Sequence, residues 1–166
     1  YFLCVLIKAI LIKDKGILKS IGFFEVTSEE VAERLFKLDL IKEELYDFVL
    51  SVIDGDFYDT FEGKIKIKVK KGKPYRNIVD EKKSKRDKFR KDVFYDSKRK
   101  LVKAVVMEIF YSKTGTTIHE AVVFRKEYPS VMKIFKCFQD SDIKLYRVLQ
   151  YIEAHVLLDR VAFNIH

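Results

Sequence analysis

The sequence predicts an α+β protein that is mostly helical, with an N-terminal β-hairpin and one basic strand. Three observations support this class: apolar residues at helical spacing over most of the chain, short β-branched runs near its start, and a strict Lys–apolar alternation over residues 64–70. The chain has 166 residues, of which 48% are hydrophobic and 35% charged. This length and composition suit one domain with a buried core and exclude a wholly disordered chain.

The N-terminal hairpin is predicted from two apolar stretches on either side of a turn signal. Val5–Ile12 and Ile17–Val26 are rich in β-branched residues and flank Asp14-Lys15-Gly16. An Asp-x-Gly sequence between two such stretches is typical of a hairpin turn. We therefore expect these stretches to pair as antiparallel strands.

Capping and stop signals divide most of the remaining chain into helices. Thr27–Glu30 has a capping-box arrangement that opens one helix, and a second helix over 41–53 is expected to end before Gly55. Ser97 and Asp142 are the predicted N-caps of two later helices. The helices predicted after the basic strand are Asp80–Phe94, Lys98–Tyr111, Ile118–Lys126, Ser130–Phe138 and Ile143–Ile165.

Positive charge is concentrated in one segment of the chain. The net charge is +8 at pH 7, and residues 64–103 hold 18 Lys or Arg against 5 Asp or Glu. In Lys64–Lys70 the lysines alternate with Ile and Val, so they share one face of a strand that Gly72-Lys73-Pro74 is expected to end. Such a face either keeps an edge strand solvated or contacts the phosphates of a nucleic acid, and both interpretations stay open.

Motifs for several other chemistries are missing from the sequence. The three histidines and two cysteines have no zinc-ligand spacing, and there is no Gly-rich phosphate loop and no nucleophile elbow. Asp54 and Asp56 flank Gly55 and could hold a divalent cation, although a turn explains them equally well. No apolar run reaches the ~18–20 residues of a membrane span, and Lys8 interrupts the first apolar run, so we expect neither a membrane anchor nor a signal peptide. Since the chain begins with Tyr1, we expect it to be part of a longer product or a trimmed form of one.

The predicted helix Lys98–Tyr111 has a face suited to a nucleotide. Arg99, Lys103, Met107 and Tyr111 recur every four residues and therefore line one side of it. Two cations, an apolar contact and an aromatic ring suit a nucleoside triphosphate, with the cations on the phosphates and the ring against the base or sugar. An amphipathic helix whose cations merely lie beside the core has the same spacing and is the alternative.

The series Arg-x3-Lys-x3-apolar-x3-Tyr resembles the fingers helix of A-family DNA polymerases. Three further segments resemble the same family in the same chain order. Gly55–Phe61 is similar to the step between palm and fingers, Phe124–Val131 to the Phe-x3-Tyr/Phe-Pro-x-Val segment, and Leu149–Asp159 to the Gln-led helix that returns to the palm. The resemblance covers roughly residues 20–166, with short spacings typical of compact polymerases of phages and mobile elements.

This resemblance implies a partial palm over residues 1–62, a basic strand and fingers-like helices over 63–140, and a palm-returning helix over 141–166, all in a single unit. It implies binding of primer–template DNA and dNTP, with template-directed nucleotidyl transfer using Mg²⁺ once a further palm segment is present. It also implies a cytoplasmic location, in the host cell if the protein is viral, and no membrane partner. Two alternatives remain: a non-catalytic, basic nucleic-acid-binding protein derived from such a polymerase, and a helical interaction domain whose charge only aids solubility.

The site residues are assigned from the family's motifs and from the basic segment. Glu25 is the only acidic candidate for the first catalytic, metal-binding position, where the family has Asp, and the second catalytic aspartate is expected beyond His166. Arg99, Lys103, Met107 and Tyr111 are the expected nucleotide contacts. The expected DNA contacts are Lys64, Lys66, Lys68, Lys70, Lys71, Lys73, Arg76, Arg86, Arg90 and Gln150.

Overall fold

A computed structural model describes residues 1–79, 90–111 and 118–163. Within these ranges the chain is mostly helical and contains one small antiparallel sheet, which confirms the predicted α+β class. None of the helices in the described part is long and apolar enough to cross a bilayer. The elements are α1 (Phe2–Ile12), α2 (Lys15–Ser20), α3 (Phe23–Val26), α4 (Glu29–Phe36), α5 (Lys42–Asp54), α6 (Phe57–Lys64), β1 (Lys68–Lys70), β2 (Lys73–Val79), β3 (Arg90–Phe94), α7 (Lys98–Tyr111), α8 (His119–Glu127), α9 (Pro129–Asp140) and α10 (Leu145–Phe163).

Helix α1 lies in the core. It packs against α2, α4, α5 and α10. Because it has neighbours on several sides, it needs apolar residues around most of its circumference rather than along one stripe. Its buried residues are Leu3, Cys4, Leu6, Ile7, Ala9 and Ile10.

The predicted N-terminal hairpin is wrong, because both of its strands are helical. Val5–Ile12 belongs to α1, and Ile17–Val26 runs through α2 and α3. Lys13 ends α1 with a left-handed φ of 55°, and the Asp14 carboxylate accepts a hydrogen bond of 3.0 Å from a backbone N–H in the first turn of α2. Asp14 is therefore a helix cap and not a hairpin residue.

The helix start predicted within Thr27–Glu30, the stop at Gly55 and the cap at Ser97 are correct, although Ser28 caps α4 with Val31 at N3 and no capping box forms; the cap predicted at Asp142 is wrong. Ser28 Oγ accepts a backbone hydrogen bond of 3.4 Å at the start of α4, and Ser97 Oγ accepts one of 3.2 Å at the start of α7, whose bounds are those predicted. Gly55 ends α5 with φ 82°, a conformation that glycine adopts without strain. Asp142 is not an N-cap, since it has φ 55° and lies three residues before α10.

The sheet is organised around a two-residue turn. Strands β1 and β2 pair antiparallel with Lys70 opposite Lys73, which leaves Lys71 and Gly72 as the connection. Their φ values are 54° and 71°, and positive φ at both positions is characteristic of the type I′ hairpin turn. Strand β2 then pairs antiparallel with β3, so β2 is the central strand.

Two predictions for the basic segment are wrong. The strand predicted over 64–70 begins only at Lys68, because Lys64 is the last residue of α6. The predicted helix Asp80–Phe94 is also wrong at its end, where residues 90–94 form β3, while residues 80–89 lie outside the described ranges. The predicted end of the strand is correct, since β1 ends at Lys70, but Lys73 and Pro74 begin β2, where the missing N–H of proline is tolerated.

An aromatic cluster holds α7 against its neighbours. Phe124 on α8 is fully buried, and its ring centroid lies 5.6 Å from that of Phe61 on α6 and 6.0 Å from that of Phe110 on α7. Tyr128 and Phe135 complete the contacts, with centroid distances of 5.0 Å and 6.4 Å from Phe124. The position of α7 therefore depends on packing against α6, α8 and α9.

The Phe124–Val131 segment joins α8 to α9. Pro129 is the first residue of α9 and Tyr128 its N-cap, so this segment opens the helix predicted from Ser130. The Glu44 carboxylate on α5 accepts hydrogen bonds of 2.9 Å and 3.0 Å from the backbone N–H of Ser130. A carboxylate is favourable at a helix N-terminus because it satisfies free N–H groups and complements the helix dipole.

Candidate nucleotide and nucleic-acid interface

Helix α7 places the four predicted nucleotide contacts on its exposed side. Arg99, Lys103, Met107 and Tyr111 are all exposed, with 37% of Met107 and 54% of Tyr111 accessible. The other side of the helix is apolar and packs into the core. Its buried residues are Leu101, Val102, Val105, Val106 and Ile109.

The two cations on this face have different surroundings. Arg99 Nη1 lies 2.6 Å from Asp59 Oδ2, and Arg99 Nη2 donates a 3.3 Å hydrogen bond to the Gly55 carbonyl. Lys103 has no ion pair within the described part of the chain. Because exposed ion pairs contribute only about 0–1 kcal/mol, a phosphate can replace Asp59 as the partner of Arg99.

A cavity of about 310 Å³ lies between α7, α10 and the start of α1, and neither Arg99 nor Lys103 lines it. Met107 and Tyr111 form its wall on α7, and Gln150 and Glu153 lie along its wall on α10. The Tyr111 ring also makes an edge contact with Tyr146, with centroids 5.2 Å apart. The fold thus brings Gln150 and Tyr111, which are 39 positions apart in the sequence, to one cavity.

Glu153 is a member of this cavity that sequence reasoning missed. It follows Gln150 by three residues on α10, and residues three apart on a helix are neighbours on its surface. This spacing is the sequence signal that points to Glu153. The Glu153 carboxylate repels phosphate, so the part of the cavity beside it suits a base or sugar better than a phosphate chain.

Glu25 lies in helix α3 and not near the end of a strand, where the predicted hairpin strand Ile17–Val26 would place it. It is exposed in the short helix α3, where its carboxylate accepts a hydrogen bond from the Tyr151 hydroxyl, and Oε1 lies 3.9 Å from His155 Nδ1. The hydrogen bond to Glu25 raises the pKa of Tyr151 above its ordinary value. Within the described ranges, no group of three or more His, Cys, Asp or Glu side chains is arranged to hold a metal ion. Glu25 therefore serves here as a link between α3 and α10.

We expect Gly22→Ala to destabilise this same link between α3 and α10. Gly22 has φ 72°, and an added Cβ would lie 2.9 Å from His155 Cγ. The backbone strain contributes about 1–2 kcal/mol, and displacement of His155 adds to it. The free energy of unfolding in urea measures the total.

Gly55→Ala is the matched control, because Gly55 has φ 82° and nothing within 4 Å of an added Cβ. In the double variant Gly22→Ala/His155→Ala, we expect recovery of the part of the lost unfolding free energy that comes from the close approach of the added Cβ to His155. Equal losses for Gly22→Ala and Gly55→Ala would mean that His155 does not press on Gly22.

The sheet presents a row of exposed cations. Lys66, Lys68 and Arg90 form no ion pair within the part of the chain that the structure describes. Arg86, also predicted to contact DNA, lies outside the described residues. The exposed members of the predicted DNA-binding set in and beside the sheet are Lys66, Lys68, Lys70, Lys71, Lys73 and Arg90.

Other residues of that set are engaged in ion pairs. Lys64 Nζ lies 2.5 Å from the Glu127 carboxylate, and this hydrogen bond raises the pKa of Lys64 and lowers that of Glu127. Arg76 forms a two-pronged ion pair with Glu108 on α7, and only 11% of its side chain is exposed. Lys64 and Arg76 therefore join α6 to α8 and the sheet to α7. Lys70 has a longer contact, 3.3 Å to a carboxylate on β3.

A second cavity, which we call the sheet cleft, has a volume of about 400 Å³ and lies beside β2, α7 and α8. Lys66 and Lys68 stand at its border, and Tyr75 and His119 also line it. The sheet cleft and Arg99 lie on opposite sides of α7. Glu108, which pairs with Arg76 of the sheet, comes nine residues after Arg99 and is therefore about 180° around the helix from it. The sequence analysis did not predict this cleft.

Comparison of the chain with protein-family models, with curated proteins and with solved structures found no match. The resemblance to A-family DNA polymerases therefore stays a prediction from four sequence segments.

Proposed function

We propose that this chain is a DNA polymerase-like segment that binds a deoxynucleoside triphosphate and primer–template DNA between α7 and α10. The observation that carries this proposal is the cavity shared by Met107, Tyr111 and Gln150. The sequence resemblance assigns Met107 and Tyr111 to the nucleotide and Gln150 to the primer–template minor groove. Their meeting at one cavity supports the assignment.

The charges along α7 have the polarity that a triphosphate needs. Lys103 lies eight residues before Tyr111, which is about 12 Å along the helix axis. A phosphate chain is attracted to Lys103 and Arg99 at the start of this face, whereas Met107 and Tyr111 toward its end are uncharged. The base and sugar are then directed toward Met107 and Tyr111.

The proposed contribution of these residues is binding and orientation. Nucleotidyl transfer also needs metal ions that stabilise the attacking and leaving oxygens. In this proposal the described residues do not hold those ions, and a further palm segment would supply the Mg²⁺ ligands. The residues of α7 and α10 position the triphosphate and the primer terminus for that step.

We expect Lys103→Gln and Tyr111→Ala each to weaken dNTP binding by about 1–3 kcal/mol, because each removes a contact to the phosphate chain or the base. Isothermal titration of a dNTP into the protein with a primer–template whose primer lacks a 3′-hydroxyl measures the loss. Lys136→Gln on α9 is the matched control, since Lys136 is exposed like Lys103 but lies on a different helix from the proposed nucleotide contacts. Equal affinities for Lys103→Gln and Lys136→Gln would contradict the proposed nucleotide site.

A non-catalytic nucleic-acid-binding protein is the second candidate, and the exposed cations of the sheet favour it. Lys66, Lys68 and Arg90 have no carboxylate partner within the described ranges and are available to phosphates. This function needs no nucleotide site. It predicts DNA binding that depends on the sheet lysines and that added dNTP leaves unchanged.

A further inference from the structure

We propose that the sheet cleft binds single-stranded nucleic acid at a site separate from the nucleotide cavity. The inference rests on the proposed binding of nucleic acid and specifies the form of the ligand and its place. It follows from the combination of a cationic border, an apolar and aromatic lining, and polar groups in one concave site.

The cationic border suits a chain of phosphates. Lys66 and Lys68 are exposed, and neither forms an ion pair within the described residues. Lys68 is the first residue of β1 and Lys66 lies two residues before it, so both lysines can contact phosphates of the same nucleic-acid strand. Glu120, which also lines the cleft, contributes negative charge. The positive charge of the cleft border comes from Lys66 and Lys68.

The lining suits the faces of unstacked bases. Ile67, Leu101 and Ile118 provide apolar surface. The half-buried Tyr75 ring is held by the Phe94 ring on β3, at a centroid distance of 5.8 Å. Bases of a single strand can stack on such surfaces, whereas a duplex keeps its base faces within its own stack. The cleft therefore favours a single strand over a duplex.

Polar groups near the lining can contact base edges. Asn77 lines the cleft, and its amide nitrogen donates a 3.0 Å hydrogen bond to Asp92, which leaves the amide oxygen as an acceptor. His119 lies at the start of α8 and is exposed beside the same cavity. The Arg76 guanidinium is held by Glu108 and fixes the sheet against α7.

The cleft can be tested with two pairs of substitutions that remove the same charge. Lys66→Gln/Lys68→Gln changes the border of the cleft, and Lys71→Gln/Lys73→Gln changes the hairpin turn of the same sheet outside it. Fluorescence anisotropy gives the affinity of each variant for a short oligo-dT and for a duplex of equal length at constant salt. All four lysines are exposed, so thermal unfolding should match that of the unsubstituted chain.

We expect the cleft pair to weaken oligo-dT binding by about tenfold or more and the turn pair by a much smaller factor, with similar effects of both pairs on the duplex. Equal losses of oligo-dT affinity in the two pairs would contradict binding of the single strand at the sheet cleft, but not the general binding of nucleic acid. An unsubstituted chain that binds neither ligand would overturn both proposals. A chain that binds DNA but no dNTP would overturn only the nucleotide site.

Photo-crosslinking provides an independent measurement. Iodouracil-substituted oligo-dT is expected to crosslink to the peptides that contain Tyr75 or His119. Crosslinks confined to the peptides that contain Tyr111 or Gln150 would place the single strand in the nucleotide cavity and contradict the sheet cleft.

Discussion

Phe124→Ala is expected to lower the free energy of unfolding by about 3–5 kcal/mol. Phe124 is fully buried, and the rings around it come from α6, α7 and α9 as well as from the end of its own helix. These helices cannot all move inward to fill the space that the lost ring leaves, because each is fixed by other contacts. Removal of the ring therefore leaves a cavity in addition to the lost hydrophobic burial. Since small domains have a total stability of about 5–15 kcal/mol, a large fraction is lost.

Urea unfolding followed by circular dichroism measures this change. Val122→Ala is the control, because Val122 lies on the same helix but is 47% exposed, and we expect it to change stability by less than about 0.5 kcal/mol. Phe124→Leu should lose less than Phe124→Ala, since it keeps part of the volume. A Phe124→Ala variant as stable as Val122→Ala would show that the aromatic cluster does not hold α7 in place.

The second large effect concerns the salt dependence of DNA binding. Each phosphate that a protein neutralises releases counterions and contributes about −0.9 to the slope of log K against log salt on duplex DNA. Replacing Lys66, Lys68, Lys71 and Lys73 together with Gln should therefore flatten the slope by about 3–4. The ion pairs of Lys64 and Arg76 exclude those residues from the set, because their charges already have partners.

Binding titrations between about 50 and 200 mM salt measure this slope. A control chain with Lys8, Lys37, Lys42 and Lys136 changed to Gln loses the same net charge at exposed positions outside the sheet. We expect its slope to stay close to that of the unsubstituted chain. Equal slopes for the two variants would mean that DNA responds to the overall charge of the protein and not to the sheet.

The starts of α4 and α7 and the end of α5 could be predicted because local signals mark them. Ser28, Gly55 and Ser97 act through contacts within a few residues, so the sequence near them contains the whole interaction. The N-terminal apolar run was misassigned because a short run of this kind suits a buried helix as well as a strand. The run forms a helix because α1 packs against elements that are distant in the sequence, and no local sequence pattern reveals such packing.

The sheet was only partly predictable for a related reason. The Lys71-Gly72 turn is a hairpin signal, but Pro74 two residues later indicated the end of the strand. In the site, four-residue spacing was sufficient to place Tyr111 on an exposed face of α7. The partners of Arg99 and Arg76 are 40 and 32 residues away, so their ion pairs depend on how the helices meet and are not visible in the sequence.

The packing of α1 against α10 has a consequence for synthesis on the ribosome. Helix α1 is translated before the other helices, yet one of the helices that cover it begins only at Leu145. Its apolar surface therefore stays incompletely covered while more than a hundred further residues are added. A chain that buries such a segment through long-range contacts folds slowly. Until it has folded, it exposes an apolar surface that chaperones bind and that promotes aggregation. A ribosome stalled before α10 would display the apolar helix α1 without one of its neighbours.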